Sequence, residues 1–185
     1  MAEPTAAATR FPVEALLDYG TRVLEKRGMT APDARVVTQT LVTADLFGFA
    51  THGIRRLRLE YDDLAPGKHT PRPNIRVVSE TPAIVLLDGD NGPGPLTAVR
   101  GMERAIAMAK QMGVGVVVVR ATNSFGAASS YSILALEQKF IGFCCANFSE
   151  ANVGPKPRNS CRYAASTFRR CSRSIRRFDG RPRNL

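Results

Sequence analysis

The sequence predicts an α/β (α+β) protein, with a helical N-terminal region over residues 1–70, an α/β region over 71–155 and a basic tail over 156–185. Three observations carry that prediction. Apolar residues recur at helical spacing as far as Pro66, and beyond Lys68 they gather into β-branched runs that alternate with helical stripes. The net charge of +10 sits almost entirely at the C-terminal end. With 185 residues, 44% of them apolar, the chain is long enough for one good core or two small ones.

Val13, Leu16, Leu17, Val23 and Leu24 share one face of a first helix, which Gly28 can end because glycine tolerates the left-handed cap position. Thr30 followed by Asp33 resembles a capping box, and Val36, Val37, Thr40, Leu41 and Ala44 continue a second stripe until Gly48. A third helix is predicted from Thr51, as N-cap, through Leu57 and Tyr61 to Pro66 and Gly67. The run HTPRPN then reads as a linker. Next come a strand over IRVVSE and another over AIVLLDG, the latter apolar throughout as a strand covered on both faces would be. After the turn DGDNGPGP, Val99, Met102, Ala105, Ile106, Ala109 and Met112 mark one helix face, and VGVVVVR reads as a buried strand. A helix over AASSYSILALEQK and a strand over FIGFCCANF complete the body.

Charge separates body from tail. Residues 151–185 hold Lys156 and nine arginines against Asp179, which leaves 16 basic and 15 acidic residues in 1–150. No run approaches the ~18 to 20 apolar residues that span a bilayer, and MAEPTAAATR lacks the plan of a secretory signal, so a cytoplasmic protein is expected. Cys144, Cys145, Cys161 and Cys171 have neither metal-site spacing nor a histidine set, so reduced thiols and no metal are expected.

Three stretches could carry chemistry. In FATHGIRRL, His52 can pass a proton to a hydroxyl or carbonyl, while Arg56, four residues on, could hold a carboxylate by two parallel hydrogen bonds. That pairing suits a 2-hydroxy or 2-keto acid. The alternative is a helix-capping histidine beside solvated arginines. The turn with Gly89, Gly92 and Gly94 invites a phosphate-cradle reading, but its spacing is G-x-x-G-x-G, and Pro93 and Pro95 remove two N–H donors. Arg120, where a dinucleotide fold would place an acidic residue, suits at best a cofactor with a 2′-phosphate. A plain turn is the competing reading. Thr122, Asn123 and Ser124, after a strand, could meet a ligand, cap the next helix, or both.

Taken in order, ADLFGFATHGIRRL, LLDGDNGPG, AIAMAKQMGVGVVVVR and NSFGAASSYSILALEQKFIGFCCAN resemble the malate/L-lactate dehydrogenase family of the second type, which includes ureidoglycolate, sulfolactate and diketogulonate dehydrogenases. The likeness covers about residues 10 to 155. It implies an oxidoreductase that moves a hydride between NAD or NADP and C2 of a small 2-hydroxy or 2-keto acid. It further implies a homodimer and a helical domain joined to a mixed-sheet cofactor domain that is not Rossmann, of which residues 71–155 would be the first part. His52 falls at the family's catalytic acid/base. Arg56 and Thr51 fall at the substrate, with Thr51 replacing the usual serine, and Thr122, Asn123 and Ser124 fall toward the cofactor. Ser124 stands where many members carry a second histidine, so proton transfer would rest on His52.

After NVGP the resemblance stops. The arginine- and serine-rich tail has no sustained period, and an out-of-frame reading of a GC-rich gene is expected, leaving a truncated enzyme of doubtful activity. The alternative is a non-enzymatic fragment that binds an intact homologue, or a polyanion such as nucleic acid through its tail.

Overall fold

The computed structural model describes residues 10–146. The tail, Cys161 and Cys171, and the end of the FIGFCCANF stretch therefore lie outside the described residues. The chain divides into a body ending at Gly142 and a second unit beginning at Phe143.

In the body, α1 (Val13–Glu25) and α2 (Ala31–Leu46) pack at close range, because a Cβ on Gly20 would lie 2.4 Å from Thr38 Cγ2. The turn after α1 closes with Gly28 at φ 91°, and α2 is followed by Gly48 at φ 78°, both left-handed positions that glycine takes without a Cβ penalty. The predicted cap at Thr30 is present: its hydroxyl accepts from the Asp33 N–H at 3.3 Å and donates to Asp33 Oδ2 at 2.8 Å. Asp33 also meets Arg100 at 3.2 Å, which ties the start of α2 to a later helix.

The third helix differs from expectation. Two single 3-10 turns, Ala50–His52 and Ile54–Arg56, precede a short α3 (Leu57–Asp63). Gly53 between them is extended, and the Ile54 N–H goes to the Asp45 carboxylate at 2.7 Å instead of to a helical carbonyl. Thr51 is therefore no N-cap, and His52 and Arg56 do not share one continuous helix face.

The sheet holds β1 (Arg76–Glu80), β2 (Ile84–Gly92) and β3 (Val116–Thr122) in the order β1-β2-β3. β1 and β2 are antiparallel, whereas β2 and β3 are parallel and joined by α4 (Gly94–Met112), so the sheet is mixed. α5 (Ser129–Glu137) follows, with Ser130 Oγ donating to the Thr40 carbonyl of α2 at 3.1 Å. Among the described residues, no helix is long and apolar enough to cross a membrane.

α4 joins two cores. Leu96 near its start packs with Leu24, Met29, Val37, Leu41, Leu57 and Leu64, whereas Met108 near its end packs on Val85 and Leu87 of β2. Val117 and Val119 of β3 line the same face as Val85 and Leu87, and Gly101 lets α4 approach them. Alternate residues point the other way. Ile84 and Leu86 lie opposite Val116 and Val118, and Ile84, Val116 and Val118 are 53%, 44% and 52% exposed. Among the described residues neither apolar strand is thus covered on both faces, contrary to expectation, because α4 covers one side only. Residues 140–146, expected to begin a strand, carry no ladder partner among the described residues. Cys144 and Cys145 are free thiols.

Candidate active site

The loop that carries His52 hangs on Asp45, at the end of α2. The Asp45 carboxylate takes the Ile54 N–H and lies against Gly53 so closely that a Cβ there would fall 1.8 Å from Oδ1. Only glycine fits. This explains why a glycine follows the histidine, and it makes Asp45 a positioning residue that spacing alone did not single out.

His52 is partly exposed, and its Nδ1 lies 2.9 Å from the Thr51 hydroxyl. A hydroxyl both donates and accepts. It can donate to Nδ1 of the Nε2–H tautomer, or accept from Nδ1–H of the imidazolium and of the Nδ1–H neutral tautomer, whose free Nε2 is the one that can take up a proton. Thr51 thus anchors the ring in both protonation states, and no group among the described residues bonds Nε2.

Arg56 lies mostly buried, with Nη2 3.8 Å from Glu60 Oε1, and its Nε is buried without a hydrogen-bond partner among the described residues. A buried donor left unpaired costs free energy that an incoming acceptor can recover. Glu60 was not anticipated. It is 6% exposed, and burial pushes its carboxyl up to about 7, against the pull of Arg56 and aided by Asp63. The signal was there to find: Leu57, Glu60 and Leu64 are three and four apart, which puts the carboxylate on the helix's buried stripe.

The glycine turn is packed by the chain itself. A Cβ on Gly92 would meet Pro73 Cγ at 2.7 Å, and one on Gly94 would meet the carbonyl oxygens of Asn123 and Ser124, both at 2.3 Å. Asn123 locks the arrangement by donating Nδ2 to the carbonyls of Asn91 at 3.1 Å and Gly92 at 2.9 Å. Thr122 pairs with Thr97 through their hydroxyls. Ser124 is exposed. The structure therefore brings Thr122, Asn123 and Ser124 onto the glycine turn, and the three glycines serve close backbone packing. Asp90 and Asn91 hold left-handed conformations, at φ 51° and 55°, which short polar side chains tolerate.

Arg120 is committed too. Its Nε and Nη2 both lie 3.1 Å from Asp88 Oδ2, and Arg76 approaches the same oxygen at 3.4 Å. The Asp90 N–H and the two arginines hold the Asp88 carboxyl below the usual carboxylate range.

A helical region bearing an anchored imidazole is thus joined through one helix, α4, to a mixed sheet. The family profile described as malate/L-lactate dehydrogenase matches residues 11–159, and the chain belongs to that family. It is 39% identical over 138 residues to a malate dehydrogenase of Pyrococcus horikoshii, covering 75% of this chain and 38% of that one. To the L-sulfolactate dehydrogenase of Methanocaldococcus jannaschii it is 43% identical over 129 residues, 70% of this chain and 38% of the other. The solved structure of the Pyrococcus horikoshii enzyme superposes with a TM-score of 0.68 at 39% identity, over 70% of this chain and 37% of that one. The chain thus spans well under half the length of these relatives.

Proposed function

We propose that the chain is the N-terminal part of a cytoplasmic NAD(P)-dependent oxidoreductase that interconverts a small 2-keto acid and its 2-hydroxy acid. The observation that carries this reading is His52, partly exposed and anchored through Nδ1 on Thr51, within the segment that matches the family. Malate and sulfolactate, named for two relatives, are both 2-hydroxy acids with a second anionic group.

A nicotinamide cofactor, when bound, supplies or takes the hydride at C2. We read the cofactor domain as a fold other than Rossmann: Gly92 and Gly94 pack against Pro73 and the Asn123–Ser124 backbone, and Pro93 and Pro95 offer no N–H to a phosphate, which supports that reading. Thr122, Asn123 and Ser124 would shape its approach, with exposed Ser124 the one free to touch it. The chain's own residues account for the rest. His52 donates a proton from Nε2 to the carbonyl oxygen in reduction and accepts one in oxidation, while Thr51 keeps the ring oriented. Arg56, with Nε unpaired, holds the substrate carboxylate. We further read the complete enzyme as a homodimer.

The test joins this chain to the remaining part of the Pyrococcus horikoshii enzyme and follows nicotinamide absorbance with 2-keto acids. His52→Ala should lower kcat by ~100-fold or more, as loss of a general acid does. Arg56→Ala should mainly raise KM. A His52→Ala variant with unchanged rate returns His52 to a structural role. By the same reading the chain alone shows no family-like turnover.

A further inference from the structure

Glu60 is the buried group that the proposed chemistry leaves without a task. It lies on the inward stripe of α3 between Leu57 and Leu64, both of which pack into the helical core, and it is 6% exposed. No group among the described residues hydrogen-bonds its carboxyl. Its ionic partner is Arg56, four residues back, with Nη2 at 3.8 Å from Oε1. That gap is too wide for a charge-assisted hydrogen bond, which closes to roughly 2.7 to 2.9 Å. The two groups lie side by side without being joined, and Arg56 keeps a buried Nε that nothing among the described residues bonds. Nε and Nη2 form one edge of the guanidinium, an edge that can grip a carboxylate by two parallel hydrogen bonds. Two carboxylates can claim it: Glu60, already adjacent, and an incoming acid.

We infer that Glu60 competes with the substrate carboxylate for the Nε–Nη2 edge of Arg56, so that the substrate is taken up together with a proton on Glu60. The inference rests on the reading of Arg56 as the carboxylate clamp. Ionised Glu60 closes on the guanidinium and fills the edge, whereas protonated Glu60 has no charge to hold it and leaves the edge to the acid. Two negative charges buried beside one guanidinium repel each other, so the second arrives as the first is neutralised. Burial pushes the Glu60 carboxyl up to about 7, which places this exchange near neutrality. The charges around it are few. Arg56 favours the ionised form and Asp63, one turn on, opposes it. Asp63 in turn meets Lys68 at 3.8 Å, and its carbonyl takes the N–H of His69 at 2.9 Å. The turn after α1 adds Arg27, stacked 4.0 Å from the ring centre of Tyr61.

The experiment uses the full 185-residue chain with pyruvate, which stays a monoanion from pH 6 to pH 8, and follows the Arg56 Nε–H resonance. In the chain alone that resonance should move with the same midpoint as the Glu60 carboxyl carbon, and Glu60→Gln should abolish the movement. This titration of the unsubstituted chain needs no variant to fold, and a resonance that ignores Glu60 overturns the inference. Because pyruvate binds only the fraction with Glu60 protonated, its Kd should be ~10-fold weaker at pH 8 than at pH 6. Glu60→Gln, isosteric and uncharged, should bind pyruvate ~10-fold more tightly than the parent at pH 8 and equally at pH 6. His52 and His69 are the same in both proteins, so their own ionisation cancels in the ratio. Equal binding by parent and variant at pH 8 overturns the inference and leaves Arg56 as the clamp. Weaker binding by Glu60→Gln at both pH values also overturns it, since Glu60 would then support Arg56 in place of competing for it. Pyruvate that leaves the Arg56 resonance unmoved at every pH in both proteins removes the clamp reading itself, and the inference with it.

Discussion

The helical region and the sheet use the same apolar residue types and end in different states. In the first, Leu24, Ala34 and Val37 have no exposure, and Gly20 lets α1 and α2 close on each other. In the second, Val85 and Leu87 are buried under α4 while Ile84, Val116 and Val118 stand open. The first core is completed by its own side chains; the second is completed on one face. The difference matters for function because the His52 loop hangs from the completed half, through Asp45 and Gly53. A candidate acid/base can be held in place by a region whose neighbouring sheet is covered on one face only among the described residues.

Substitutions on the two sides sharpen that contrast. Leu24→Ala removes a fully buried side chain and should cost about 3 kcal/mol or more in denaturant unfolding, whereas Val118→Ala, already half open, should cost about 0.5 kcal/mol or less. Equal losses would mean that the sheet face is covered after all.

Glu60 tests the helical side from within. Its carboxyl sits at about 7 in the folded protein against an ordinary 4.5, so the folded state binds the extra proton between those values. Its favourable contribution is therefore fully present below about pH 4.5 and is lost as pH rises through about 7. Glu60→Gln should stabilise the protein by on the order of 3 kcal/mol at pH 8 and by almost nothing at pH 4, read from urea midpoints at each pH. A variant less stable than the parent at pH 8 would show that the Arg56 pair outweighs burial.

Asp45→Ala leaves the Ile54 N–H without its acceptor and should cost about 1 kcal/mol, while also loosening the ring of His52. Broadened or shifted His52 ring resonances would report the second effect; unchanged resonances would show that Asp45 does not position the loop. The smallest effect belongs to Asp88→Asn on the half-open sheet. Asp88 has a depressed carboxyl, so its stabilisation is present at neutral pH and fades as pH falls through a value below the ordinary carboxylate range. The variant and its parent should converge in strongly acidic solution, and a gap that persists there would rule out charge as its source.

Much of this was legible in the sequence. The stripes of α1, α2 and α4, the Thr30 cap and the glycines at 28 and 48 all express contacts within a few residues, which spacing reports well. The third helix was misread for the opposite reason. Its first turns are broken by a carboxylate nine residues upstream, and no local pattern shows that Asp45 will take the Ile54 N–H. β2 was read as covered on both faces and the valines of β3 as buried because an apolar strand states what could be covered, not what covers it. His52 and Thr51 were visible as chemistry, and their mutual hydrogen bond follows from adjacency. The use of Asn123 as a clamp on Asn91 and Gly92 was not visible, since it depends on two turns 32 residues apart meeting at the end of the sheet. The same holds for Arg120, which pairs with Asp88 only because β2 and β3 are in register.

Native-state hydrogen exchange on the chain alone tests most directly the claim that one half is self-supporting and the other is not. The slowest amides of α2, around Val37 to Val42, should open only with global unfolding, while the slowest amides of β3 exchange at least ~100-fold faster through local opening of an uncovered edge. Equal protection of α2 and β3 would contradict the account, because it would mean that the sheet is already complete.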